Sequence, residues 1–321
     1  MPSRKTNPIA VIALGGNALS PAGERSTVYD QFRHTRESLE PIVDLALDGW
    51  NLCIVHGNGP QVGDELVRNE IARAEAKPLP LGVLVPATAG WIGYMIQQSL
   101  ENALRRAGSP REVATVITQT HVDPDDPTLA TPRKFIGHEI PQARADALAK
   151  EGYAIALDGR GHLRRVVPSP RPLAIHELST IRTLLLRGTI VIACGGGGAP
   201  VYFDNERQGW EGVDAVVDKD LAAAVLARDL DAELLLILTD VDAVYLDWGK
   251  PTQRALRHLS VDEAEELDRQ SAFGEGSMAP KVRAAVDFVR QTGGRAIITE
   301  LNRGLAAVRG EGGTTISTEN E

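Results

Sequence analysis

Short apolar runs rich in β-branched residues alternate with longer amphipathic stretches along this chain. That alternation restricts the fold more than any other feature. The runs lie at 9–14, 52–55, 113–118, 190–193, 234–238 and 296–299. Each is four to six residues long and almost wholly apolar, the pattern of strands buried on both faces. Helical periodicity predicts helices at 28–47, 61–76, 81–107, 176–186, 215–227 and 280–291, and Pro280 reads as a first-turn proline. Gly49, Gly108, Gly188 and Gly293 follow four of them, as C-terminal stops do. The expectation is a set of βαβ units on a mostly parallel sheet.

In open sheets of this kind, ligands sit beyond the carboxyl ends of the strands. Four predicted strands end in glycine or small polar clusters: Gly15-Gly16-Asn17, His56-Gly57-Asn58-Gly59, Gly195 to Gly198, and Thr239-Asp240-Val241-Asp242. Glycine lets backbone N–H groups approach an anion, and a following helix adds its positive end. One such cluster is ordinary turn chemistry; four on one sheet point to a ligand site.

Other nucleotide and hydrolase signatures are missing. The chain has no P-loop, no protein-kinase catalytic set, no dinucleotide glycine fingerprint after the first strand and no nucleophile elbow. Its seven histidines show no zinc-ligand spacing. A net charge of −9 and an aromatic fraction of 4% argue against nucleic acid or an anionic membrane as partner. No apolar run approaches the ~20 residues needed to cross a bilayer. The two cysteines, Cys53 and Cys194, fall in predicted buried strands, which suits a reducing, cytoplasmic setting.

The segment 121–172 breaks the rhythm. It carries seven of the 19 prolines and a series of basic residues, among them Lys134, Arg144, Arg164, Arg165 and Arg171. A stretch this long is unusual as a plain loop, and it reads as an inserted flap with one short helix at 142–150. Lys134 in the flap, Lys219 in Asp218-Lys219-Asp220, and Lys281 are the cations that phosphoryl transfer would require. Asp218 and Asp220 are expected to hold Lys219 by short ion pairs; the plainer reading is a solvated helix entry capped by aspartate. His56 reads as a structural, hydrogen-bonded histidine.

The strings VIALGGNA (11–18), HGNGPQVG (56–63), VVPSP (166–170), CGGGGAPV (194–201), DKD (218–220), LTDVDAVY (238–245) and GSMAPK (276–281) resemble the carbamate kinase family in order and spacing. The resemblance covers nearly the whole chain. It implies the amino-acid-kinase fold, a three-layer αβα sandwich around a largely parallel eight-stranded sheet, with 121–172 as a protruding flap subdomain. It implies an amino-terminal lobe (1–205) for carbamate or carbamoyl phosphate and a carboxy-terminal lobe (206–321) for the nucleotide. The implied reaction is ATP plus carbamate to ADP plus carbamoyl phosphate, with Mg²⁺ held mainly by nucleotide phosphates. A homodimer is implied, as is a role in making ATP after arginine deimination. Same-fold alternatives are another small-acid or nucleotide kinase, or a non-catalytic sensor.

By the same resemblance, Lys134, Lys219 and Lys281 are catalytic and Asp220 orients them. Gly15, Gly16, Asn17, Gly57, Asn58 and Gly59 surround the small substrate, with Gly196 and Gly197 beside them. Asp218, Thr239, Asp240, Val241, Asp242, Tyr245 and Met278 fall where the nucleotide binds. Two departures stand out: Phe135 replaces a proline, and 202–211 is longer and more polar than the pattern.

Overall fold

A computed structural model describes residues 7–15, 19, 27–274 and 278–318. Its central sheet has eight strands in the order His258–Ser260, Thr314–Ser317, Arg295–Glu300, Leu234–Thr239, Ile9–Leu14, Asn51–His56, Ile190–Ile192 and Val113–Thr115. Every neighbouring pair is parallel except Arg295–Glu300 with Thr314–Ser317. Strands from residues 1–205 fill one half of the sheet and those from 206–321 the other. They meet where Ile9–Leu14 pairs with Leu234–Thr239.

Alternate residues of each strand enter opposite cores, because successive side chains point to opposite faces. Val11, Ala13, Cys53, Val55, Leu235 and Ile237 pack with the helices Lys219–Asp229 and Met278–Thr292. Ala10, Ile12, Leu14, Leu52, Ile54 and Leu236 pack with Glu40–Leu47 and Leu81–Arg106. The result is the three-layer αβα sandwich.

The six core strands match their predicted positions to within a few residues, and four details are corrected. The predicted helix 28–47 is two helices, Val28–Ser38 and Glu40–Leu47, since Pro41 lacks the N–H that would continue the first. The predicted helix 215–227 starts only at Lys219, because Asp218 caps it. The strand at 113 ends at Thr115, and Thr118 turns its hydroxyl to accept from the Cys194 backbone N–H. Cys194 itself lies past its strand in the left-handed region, at φ 50°. Unforeseen are the edge strand His258–Ser260, its neighbour Thr314–Ser317 and the helix Val261–Arg269.

The flap leaves the body along Gln119–Val122 and returns along Pro172–Ile175. These two pair antiparallel inside a four-stranded sheet with Ala199–Asp204 and Gly209–Gly212. The polar stretch 202–211 is therefore a hairpin at the flap's neck, where Trp210 stacks on His121 with centroids 4.1 Å apart. Beyond the neck, Lys134–Ile136, Leu163–Val167 and Ile155–Leu157 form a small sheet, with the helix Gln142–Lys150 beside it.

Candidate active site

Because the central strands are parallel, their carboxyl ends share one edge. The four small-residue clusters end four adjacent strands, so the topology brings Thr239, Gly15, Gly57 and Gly195 into one row. The Gly15 N–H bonds the Leu238 carbonyl at 3.0 Å. Gly15, Thr239 and Asp240 line a pocket with Glu300, Leu301 and Asn302. The last three were not singled out in the sequence. Gly16 and Asn17 lie outside the described residues.

The tetraglycine makes a tight turn that no larger residue could make. A Cβ on Gly196 would fall 2.3 Å from the Asn58 amide nitrogen, and one on Gly197 would fall 2.3 Å from the Val217 carbonyl oxygen. Gly196 and Gly197 also have φ of 66° and 89°, where a side chain is strained. Thr120 Oγ1 donates to the Gly197 carbonyl at 2.7 Å and anchors the turn to the flap's neck. Gly59 opens the helix Gly59–Ala72, whose first turn has neither a side-chain cap nor an acidic residue. Its N–H groups and positive end are suited to an anion.

Three separate elements deliver the lysines. Lys134 comes from the flap, Lys219 opens the helix Lys219–Asp229, and Lys281 lies in the first turn of Met278–Thr292. All three converge on two carboxylates. Asp220 accepts from Lys219 Nζ at 2.6 Å and from Lys281 Nζ at 3.1 Å. Asp218 accepts from Lys134 Nζ at 2.8 Å while capping the Asp220 and Leu221 N–H groups. The expectation that both aspartates clamp Lys219 is thus corrected, since the capping geometry leaves the second Asp218 oxygen to the flap. The aspartate cap of the plainer reading is present, but the helix entry is buried rather than solvated, with Lys219 and Asp220 side chains 12% and 4% exposed.

The electrostatics follow from burial. Asp220 and Lys281 side chains are 4% and 8% exposed. Burial disfavours a charged Asp218, yet Lys134 and Lys219 hold its carboxyl well below the usual carboxylate range. Burial also pushes the Lys219 ammonium below its ordinary value, and Lys281 repels it further, with Asp220 only partly compensating. For Lys281 burial acts the same way, but Asp220, Asp218 and Asp240 outweigh it and hold it above its ordinary value. The three ammonium groups are thus gathered at the strand ends of an acidic protein, held there by the carboxylates around them.

The flap lies against the helix Gly59–Ala72. The Gly137 N–H bonds the Gly59 carbonyl at 3.0 Å, and a Cβ on Gly63 would fall 2.1 Å from the Gly137 Cα. Glu70 pairs with Arg165 and, at 2.7 Å, with Arg144. Arg73 meets Glu151 through two bonds of 3.1 and 3.0 Å. Phe135 pairs with Val166 in the flap sheet, under the Arg164 guanidinium.

The remaining predicted residues are more dispersed. Tyr245 donates to Asp242 at 2.6 Å, and Arg257 pairs with the same carboxylate at 3.2 Å. Val241 sits in the loop between Leu234–Thr239 and Val244–Leu246, and Met278 begins the helix that carries Lys281. His56 is fully buried, and burial pushes it down to about 4, so it is neutral; its Nδ1 lies 2.9 Å from the Gly57 carbonyl. Among the described residues no three His, Cys, Asp or Glu side chains cluster as a metal cage, and no helix is long and apolar enough to cross a membrane.

Residues 8–300 match the amino acid kinase family. A carbamate kinase of Haemophilus influenzae is 46% identical, with 97% of each chain covered. One of Pyrococcus horikoshii is 42% identical over 96% of this chain and 98% of its own. The solved structure of a carbamate kinase from Giardia lamblia bound to citric acid superposes with a TM-score of 0.92. It has 36% identity over 97% of this chain and 98% of its own. Another from the same organism, bound to AMP-PNP, superposes at 0.89 with 37% identity over the same shares. With likeness of this degree in both sequence and fold, the chain belongs to the carbamate kinases of the amino acid kinase family.

Proposed function

We propose that this kinase transfers a phosphoryl group reversibly between ATP and carbamate, giving ADP and carbamoyl phosphate. The observation that carries the reading is the convergence of Lys134, Lys219 and Lys281 on Asp218 and Asp220 at the strand ends. Carbamate is already an anionic oxygen nucleophile, so no general base is needed. What the reaction asks of the protein is to align two anions and spread positive charge over the transferring oxygens. The aspartates hold the lysines in place before substrate arrives, so little reorganisation is left for the transition state.

The amino-terminal glycine clusters take the small acid, and the loop Thr239 to Asp242, with Tyr245 and Met278, takes the nucleotide. Mg²⁺ is carried in with the nucleotide phosphates, where it neutralises their oxygens. With Asp218 and Asp220 occupied by lysines, the phosphate oxygens and water would supply most of the donors to Mg²⁺. A homodimer rests on the family resemblance. The buried free thiols Cys53 and Cys194 support a cytoplasmic setting. ATP synthesis after arginine deimination rests on the family resemblance.

The test is ATP formation from ADP, carbamoyl phosphate and Mg²⁺, read by luciferase. Robust ATP production is expected, and none above the protein-free control would overturn the proposal.

A further inference from the structure

Asn58 immediately precedes the helix Gly59–Ala72, and asparagine is among the best capping residues, yet its side chain does not cap. The amide is used elsewhere. Asn58 Nδ2 donates to Thr88 Oγ1 at 2.9 Å, and both residues are buried. Thr88 lies on the helix Leu81–Arg106, and its hydroxyl faces two carbonyls of its own helix, Leu84 at 2.9 Å and Val85 at 2.8 Å. A hydroxyl has one proton to give. With that proton spent on the helix, Thr88 Oγ1 can only accept, so the nitrogen end of the Asn58 amide must face it.

Thr88 therefore decides which way the Asn58 amide points. The end turned away from it is the carbonyl oxygen Oδ1. The amide lies against Gly196, where a Cβ would come within 2.6 Å of Oδ1. Among the described residues no donor reaches Oδ1. Carbamate and carbamoyl phosphate carry an amino group, which acetate and acetyl phosphate lack. An amino group is recognised by an acceptor; an inverted amide would set N–H against N–H and leave both unpaired.

We propose that Thr88 is a positioning residue for substrate selectivity: it locks Asn58 with Oδ1 toward the amino group of carbamate or carbamoyl phosphate. This rests on the function proposed above and adds the group by which the substrate is told from its acetyl analogue. Sites built to hydrogen-bond a substrate group discriminate strongly against analogues without it.

The experiment measures kcat/KM for ATP formation from ADP with carbamoyl phosphate and with acetyl phosphate, using the full chain. Wild type should favour carbamoyl phosphate. Thr88→Val and Thr88→Ala should each lower that preference about tenfold or more, through the KM for carbamoyl phosphate, with the KM for ADP unchanged. Thr88→Ser, which keeps the hydroxyl, should retain it. An unchanged preference in either folded variant lacking the hydroxyl overturns the proposal, as does a serine variant as impaired as valine. A wild type that uses both donors equally well overturns it without any variant. No ATP from either donor in wild type would instead refute the phosphoryl-transfer reading itself.

Discussion

Replacing Asp220 by asparagine keeps the shape of the side chain and removes the charge on which Lys219 and Lys281 both lean, at 2.6 and 3.1 Å. Two buried ammonium groups would then face each other with no carboxylate between them. Removing one partner of a buried ion pair costs about 3–5 kcal/mol. Deprotonation limits that cost. Lys219 is the group to yield, because burial and Lys281 already lower it from its ordinary 10.5. At about 1.4 kcal/mol per pH unit, holding a lysine neutral costs about 4 kcal/mol at pH 7.5 and about 2 kcal/mol at pH 9. Between those pH values the folded variant binds one proton fewer than its unfolded chain, so raising the pH favours the variant relative to wild type. Urea unfolding of both proteins at both pH values should show the gap shrinking by about 2 kcal/mol. Turnover should fall by about 10³ or more, since a lost electrostatic donor alone is typically worth 10²–10³. Binding of ADP should change only a few-fold. A destabilisation below about 1 kcal/mol at pH 7.5, or one equally large at pH 9, would refute the reasoning.

Two other outcomes follow from the same geometry. Gly63→Ala places a methyl 2.1 Å from the Gly137 Cα, backbone against backbone, and should lift the flap from its helix. The expected result is about a 10²-fold loss of kcat, with ADP affinity kept and faster proteolysis of 121–172; wild-type turnover would contradict it. His56 stays neutral in the fold down to about pH 4, whereas in the unfolded chain it gains its proton near its ordinary value of 6.5. Stability should therefore decline as pH falls from 6.5 to 4, by up to about 3 kcal/mol from this residue alone. His56→Gln should flatten that window in urea titrations, and an unchanged slope would show that His56 is not its cause.

Much of this protein was legible in its sequence. Strands buried on both faces must be nearly continuous in apolar residues, so Ile9–Leu14 and its neighbours announced themselves. The glycine clusters did too, because a turn packed as tightly as Gly196 against Asn58 admits nothing larger. The strands His258–Ser260 and Thr314–Ser317 did not, being only three and four residues long and mostly polar, too short for an apolar run to show. The resemblance named the three lysines, but how they are held depends on contacts across 84 residues for Lys134 with Asp218 and 61 for Lys281 with Asp220. Thr88 gave no signal at all, since a lone threonine in an apolar helix looks the same whether or not an asparagine 30 residues away leans on it. Local pattern settles which segments are strands and where the chain must turn, because those depend on neighbouring residues. Which carboxylate meets which lysine, and which way an amide faces, depend on where the folded sheet sets distant segments down, and only the tertiary structure decided them.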